Sequence, residues 1–362
     1  MNCPKCHSDE VYFEGQQSIQ HGQVEFRFFV CRTCGTQFVE NPEEEDSQEV
    51  RSIPTREELL EKIRWQHEIE DNRQLKVNQL LRQPAFAPPP LYGQLKEMMD
   101  REAAGPKDFE ALLAPTPKIR EGIQTLGLCP LFSEEPPPNK NSSLLELLEP
   151  PLLLDLVLAL EVLETLDFPK DCPRLERTAF WRHSLICGAT SLWLARFLGL
   201  EEAPRYFLPG FLMNIGHLVI ASHSPEIFQE ITSECLKSGK PLWKMEEALL
   251  DFHHGQVGSS LLKEWGQPVW VTQALRYQHQ PLEARQFVQP ACILHAGEIL
   301  AQDMKSSPVG EIRPPQADPE AVRQLGLTRS LVDQIKTEVS SWTAELEPLV
   351  LGPAPTPISR KE

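Results

Sequence analysis

The chain has no surplus of positive charge: 35 lysines and arginines face 52 aspartates and glutamates, for a formal net charge of −17. Holding a phosphate backbone draws on clustered Lys and Arg, so this balance argues against nonspecific DNA binding. Long apolar runs are missing too. The most apolar stretch, PLLLDLVLALEVL (151–163), is interrupted by Asp155 and Glu161 and is shorter than the ~20 residues that span a bilayer, so it reads as a core helix. No charged-then-apolar N-terminal segment of the signal-peptide kind is present, which makes the cytoplasm the expected compartment, with no membrane partner. A paired cysteine framework is also missing: nine cysteines are an odd count, and a reducing compartment disfavours disulfides. Proline, by contrast, is abundant, and its 33 copies exceed average usage and point to irregular connections. With 362 residues, 41% of them hydrophobic, the chain has room for more than one domain.

Four cysteines fall in two knuckles, CPKC and CRTC, which place Cys3, Cys6, Cys31 and Cys34 on either side of a 24-residue interval. Within the interval Val24, Phe26, Phe28 and Val30 alternate along one strand face, and residues 37–39 supply a partner strand. So short a segment cannot bury enough surface to fold alone. One tetrahedral Zn²⁺ held by four thiolates would supply on the order of 10 kcal/mol. A thiol redox pair also uses CxxC, but beside a βαβ unit that this segment lacks. The motif resembles a zinc ribbon over residues 1–39, with Gly35 in the turn of the second knuckle and His7 where the first would carry its glycine. Lys5, Arg27 and Arg32 are outnumbered by Asp9, Glu10, Glu14 and Glu25, so the ribbon is expected to dock to protein, not to nucleic acid.

Residues 40–83 read as an acidic linker, ENPEEEDSQE, followed by a connecting helix that Thr55 and Glu58 open as a capping box and that extends to about Arg82. From residue 84 the pattern is helical throughout. Segments are expected at 91–103, 108–113, 117–127, 143–166, 176–198, 206–223, 225–238, 243–264 with a break, 268–279 and 288–303. Gly199 and Gly239 are C-cap candidates, and Asp318 and Pro319 stand as N-cap and first helical residue. Leu331, Ile335, Val339, Trp342 and Leu346 form a final amphipathic stripe. The expected fold class is mainly α, with a helical domain at 84–305, a helical extension at 306–362, and the small β ribbon in front.

Seven of ten histidines, His183, His217, His223, His253, His254, His279 and His295, lie in the second half of the chain. A hydrolytic divalent site wants neutral imidazoles, at least one carboxylate and positions left for water. The segments FWRHSLICGATSLWLARFLG, LPGFLMNIGHLVI, EEALLDFHHGQVGSSLLKEWGQP, ALRYQHQP and CILHAGEIL resemble the HD superfamily of metallophosphohydrolases. They are more similar to its regulatory offshoot, the HD-related output domain or HDOD. Thr116-Pro117 stands where that offshoot usually carries Asp-Pro. The resemblance places His183 at the enzymes' first metal histidine, His254 at the next, Gln278 and His279 at a His-His dyad, and Glu298 at a late aspartate. At the signature His-Asp pair the chain has Met213 and Asn214, a thioether and an amide, poor ligands for a hard cation.

The resemblance implies a bacterial signalling protein with no enzymatic activity, acting through other signalling proteins or a small nucleotide ligand. The only metal expected is one structural Zn²⁺ in the ribbon. The degenerate pocket consists of His183, Asn214, His254, His279 and Glu298. A phosphohydrolase with a site rearranged around His183, His254, His279 and Glu298, and a nucleotide-sensing module, are the other readings. Within the pocket, His183 is expected as a satisfied core histidine, His254 and Asn214 as hydrogen-bond partners of each other, and His217 as a solvated group.

Overall fold

The computed structural model describes residues 11–19, 24–31, 33, 37–40, 70–101, 105–132, 148–310 and 315–351. It divides into two units, Met1–Asn72 and Arg73–Glu362. In the first, β1 (Val11–Ile19), β2 (Val24–Cys31) and β3 (Gln37–Glu40) form an antiparallel sheet of order β1-β2-β3. The β2–β3 pairing sets Val30 against Gln37 and Phe28 against Val39, as the alternation predicts. Strand β1 is an addition: its register shifts between Phe13 and Gly15, and a bulge there breaks the period that would announce it. Cys31 closes β2 and is buried. Cys3, Cys6 and Cys34, the acidic run after Glu40, and the capping box at Thr55 and Glu58 lie outside the described residues.

The second unit is helical. After a helical stretch at 70–81 come α1 (Pro90–Met99), α2 (Pro106–Leu113), α3 (Pro117–Leu128), α4 (Pro150–Thr165), α5 (Arg177–Phe197), α6 (Phe207–Leu212), α7 (Ile215–His223) and α8 (Pro225–Ser238). They are followed by α9 (Leu242–Leu250), α10 (His254–Glu264), α11 (Val269–Arg276), α12 (Val288–Asp303), α13 (Pro319–Gln324) and α14 (Arg329–Leu351). Proline opens α1, α2, α3, α4, α8 and α13, where its fixed φ suits the first turn and its missing N–H has no partner to lose. These six of the 33 prolines thus start helices, rather than marking irregular connections. Gly199 and Gly239 take φ of 68° and 65°, the left-handed turn that ends α5 and α8. The Asp318 carboxylate accepts from the backbone N–H of Glu320 and Ala321 and caps α13.

Helix α4 is buried nearly all round, and each of its two buried charges, Asp155 and Glu161, has a dedicated partner, while the exposed Glu164 pairs with Lys118. Asp155 pairs with Arg205 at 2.8 Å. Glu161 accepts from the N–H groups of Leu91 and Tyr92 at 2.8 and 2.7 Å, satisfying orphan donors in the first turn of α1. Beside α4, α5 carries Trp181, which is buried and stacked on Phe211 at 5.3 Å between ring centroids. Burying such a side chain contributes about 1.5–3 kcal/mol or more. The same core continues into Ala321 and Leu325 of α13 and Ile335, Val339 and Leu346 of α14, the inner face of the predicted stripe. Among the described residues no helix is long and apolar enough to cross a membrane.

One difference from the sequence pattern shapes the site. The expected 206–223 helix is broken at Met213 and Asn214, with Asn214 (φ −99°, ψ 4°) preceding α7. Glycine on each side lets this junction wedge between neighbours. A Cβ on Gly210 would lie 2.5 Å from Ser191 Oγ of α5, and one on Gly216 only 2.0 Å from the His254 carbonyl oxygen of α10. Gln278 Nε2, donating to the Met213 carbonyl at 3.1 Å, supplies a partner for a backbone group freed by the break.

Candidate functional site

Two buried carboxylates organise the histidines. Glu298, on α12, accepts at Oε2 from Asn214 Nδ2 at 2.9 Å, meets His183 Nε2 at the same distance, and accepts at Oε1 from Gln302 Nε2 at 2.5 Å. Cys187, one turn beyond His183 on α5, places its Sγ 3.3 Å from the same imidazole nitrogen. Burial alone would raise the Glu298 carboxyl, but the His183 imidazole and the bonds from His183, Asn214 and Gln302 outweigh it and hold the group below the usual carboxylate range. The Cys187 thiol is pushed well up by burial and by the adjacent carboxylate, so it is not a thiolate nucleophile.

The second carboxylate, Glu246 on α9, was not singled out by sequence. It meets His217 Nδ1 at 2.9 Å and His254 Nδ1 at 2.7 Å, and accepts from the His254 backbone N–H at 2.9 Å. Burial opposes its charge, but both imidazoles and these bonds bring its pKa below the ordinary range. Nothing in MEEALL distinguishes Glu246 from Glu247 except position, since α9 turns the first fully inward and leaves the second half-buried. His217 is consequently buried rather than solvated, and its pKa is pushed down to about 4 by burial and by His254. Its ring lies 3.7 Å from that of His254, centroid to centroid.

His254 and Asn214 do not bond to each other. His254 turns Nδ1 toward Glu246 and sets Nε2 3.0 Å from His279 Nε2, while Asn214 is engaged by Glu298. His279 stacks under Trp243 with centroids 5.2 Å apart and planes 2° from parallel, and burial and the surrounding imidazoles keep it well below its normal pKa. His253 caps α10 through its ring nitrogen, and burial brings it down to about 3. His295 bridges the Gln278 carbonyl and the Asp318 N–H, and His223 meets Gln83. Both serve helix packing rather than the cluster.

Asn214, His217, His254, His279 and Glu298 line one cavity of about 30 Å³, the volume of roughly one water. Four of the five sequence-selected pocket residues therefore converge on it, and His183 stands behind Glu298. Three ligand-type groups lie within 4.8 Å sets: His253, His254 and His279; His183, Cys187 and Glu298; and His217, Glu246 and His254.

Residues 146–281, which carry His183, Asn214, His217, Glu246, His254 and His279 but not Glu298, match a known family model, the HDOD domain. Solved structures share the fold. A candidate phosphohydrolase of Shewanella amazonensis superposes with a TM-score of 0.56 at 19% identity, covering 77% of this chain and 97% of that one. An HDOD domain protein of unknown function from Geobacter sulfurreducens gives 0.52 at 17% identity, covering 78% and 95%. A candidate signal transduction protein of Marinobacter aquaeolei gives 0.54 at 20% identity, with 73% of this chain and 59% of that one covered. By sequence, an uncharacterised protein of Treponema pallidum is 25% identical over 116 residues, 32% of this chain, and the chain spans about a quarter (23%) of that relative's length. Residues 146–281 thus match the HDOD domain model, and the helical architecture around them is shared with these solved structures.

Proposed function

We propose that the protein is a non-catalytic regulatory protein whose HDOD domain acts by binding a signalling partner or a small ligand such as a nucleotide. In this reading Cys3, Cys6, Cys31 and Cys34 hold one structural Zn²⁺ in a ribbon that docks to another protein. The observation that carries the first part is the contact between Asn214 and Glu298. A divalent cation needs the carboxylate oxygens free and a second anionic or imidazole ligand at the junction of α6 and α7. Here Asn214 presents its amide N–H to Glu298, and Glu298 is engaged on both oxygens by His183, Asn214 and Gln302. The thioether of Met213 is buried and adds no hard ligand. This donor set does not fit a catalytic metal, and no hydrolytic step is assigned to it.

The second reading, a metal-dependent phosphohydrolase, is favoured by one observation: His254, His279 and Glu298 do line a common cavity. Elemental analysis of the full chain after incubation with Mn²⁺, alongside assays with cyclic dinucleotides and nitrophenyl phosphodiesters, separates the two. One zinc per chain, no second metal and no turnover are the expected results. Turnover that disappears in His183→Ala would establish the phosphohydrolase instead.

A further inference from the structure

Along α12 a pocket of about 640 Å³ opens between this helix and the start of α13 and α14, with His295 among its lining residues. Its walls are mostly aliphatic, built from Ile299, Leu300, Val322, Leu327 and Val332. The size is that of a site for a single small molecule, not of a packing defect. Two cations, Lys305 and Arg329, also line it. Neither forms a salt bridge with a carboxylate among the described residues, whereas Asp303, the one acidic lining residue, is neutralised by Lys336. Lys305 has φ of 60°, a left-handed backbone where glycine would be unstrained. Its N–H bonds the Gln302 carbonyl at 2.9 Å, and that of Ser306 bonds the Ala301 carbonyl at 3.1 Å, so the turn that ends α12 fixes the lysine at this position. A strained residue with a long cationic side chain, retained where glycine fits, is the kind of outlier that accompanies ligand binding.

We infer that this pocket binds an apolar monocarboxylate, such as a medium-chain fatty acid, with the hydrocarbon against the aliphatic walls and the carboxylate between Lys305 and Arg329. Apolar burial supplies the affinity and the paired cations the selectivity for an anionic head. Besides the two cations and Asp303, the polar side chains lining the pocket are His295, Gln302 and Thr328. Gln302 and Pro315 line both this pocket and the small histidine cavity. The assignment is independent of the metal question. A metal found among the histidines would leave it standing, and failure to bind the acid would leave the non-catalytic reading untouched.

The test is isothermal titration calorimetry of the full chain with decanoate and with decanol. Decanoate should bind at least tenfold more tightly than decanol. The double variant Lys305→Gln, Arg329→Gln, whose two positions are solvent-exposed, should weaken decanoate about tenfold or more with an unchanged circular dichroism spectrum. Val332→Trp, which fills the pocket, should abolish binding of both. Three results would overturn the assignment: no heat with decanoate, equal affinity for decanol, or an unaltered decanoate affinity in the double charge variant.

Discussion

Removing Glu246 should be among the most damaging single changes in the helical unit. Its carboxylate is fully buried and meets three donor positions: His217 Nδ1, His254 Nδ1 and the His254 backbone N–H. Glu246→Ala strips the partner from all three without admitting bulk water. Leaving a buried donor without its partner costs about 1–3 kcal/mol, so three stranded donors should cost about 3 kcal/mol or more, which in a unit of this size lowers Tm by about 5 °C or more. Glu246→Gln separates charge from shape. The neutral His217 ring can move its proton to Nε2 and accept from the new amide, while the amide carbonyl still accepts from both His254 donors. Only charge assistance is lost, so the cost should be about 1 kcal/mol. Urea unfolding followed by circular dichroism measures both variants. A loss below about 1 kcal/mol for Glu246→Ala, or equal losses for the two, would refute the assignment of Glu246 as the anchor of the histidine cluster.

Asn214→Asp places a second acceptor beside Glu298, 2.9 Å away in the parent, so it should cost about 1–3 kcal/mol in the metal-free protein. Added Mn²⁺ should recover its Tm while leaving the parent unmoved, and a parent equally stabilised would contradict the fit argument. Stability should fall as pH drops from about 6.5 to about 4, because His217, His253 and His279 are held neutral in the fold below their unfolded pKa and take up protons on unfolding. Asp155, whose burial raises its carboxyl to about 6, works in the opposite direction, as do Glu161 and Glu247, also raised by burial. His295, lowered by burial, adds to the fall, and the large shifts of His217, His253 and His279 set the net sign. A urea midpoint that does not fall between pH 6.5 and pH 4 would count against the buried-neutral assignment. Gly216→Ala should cost about 3 kcal/mol or more by driving a methyl into the His254 carbonyl, read as the loss of urea midpoint; wild-type stability in that variant would mean α7 and α10 are not packed this closely.

The elements most legible in sequence were those with chemical punctuation. Helix α8 runs from Pro225 to Ser238 because proline fits its first turn and Gly239 takes the left-handed turn beyond it. Helix α12, at 288–303, matched its predicted span from apolar content alone. The break at Met213 and Asn214 was not legible, because FLMNIGHLVI stays apolar across it and only the approach of α5 and α10 bends the chain there. In the site, the thioether and amide of Met213 and Asn214 could be read directly, and the partners of those residues could not. Asn214 was expected near His254 and binds Glu298 instead. His217 was expected in solvent and lies buried on Glu246.

By itself the sequence determined the helical class, the positions of most helices, and the set of polar side chains available to the cavity, because periodicity, proline and glycine act over a few residues. Only the tertiary structure decided which carboxylate serves which imidazole. Glu246 and Glu298 are 52 positions apart, and their two clusters meet at one cavity because the start of α7, α10 and α12 each contribute residues to its lining. Pairing of that kind depends on distances across the core, and no local pattern along the chain encodes them.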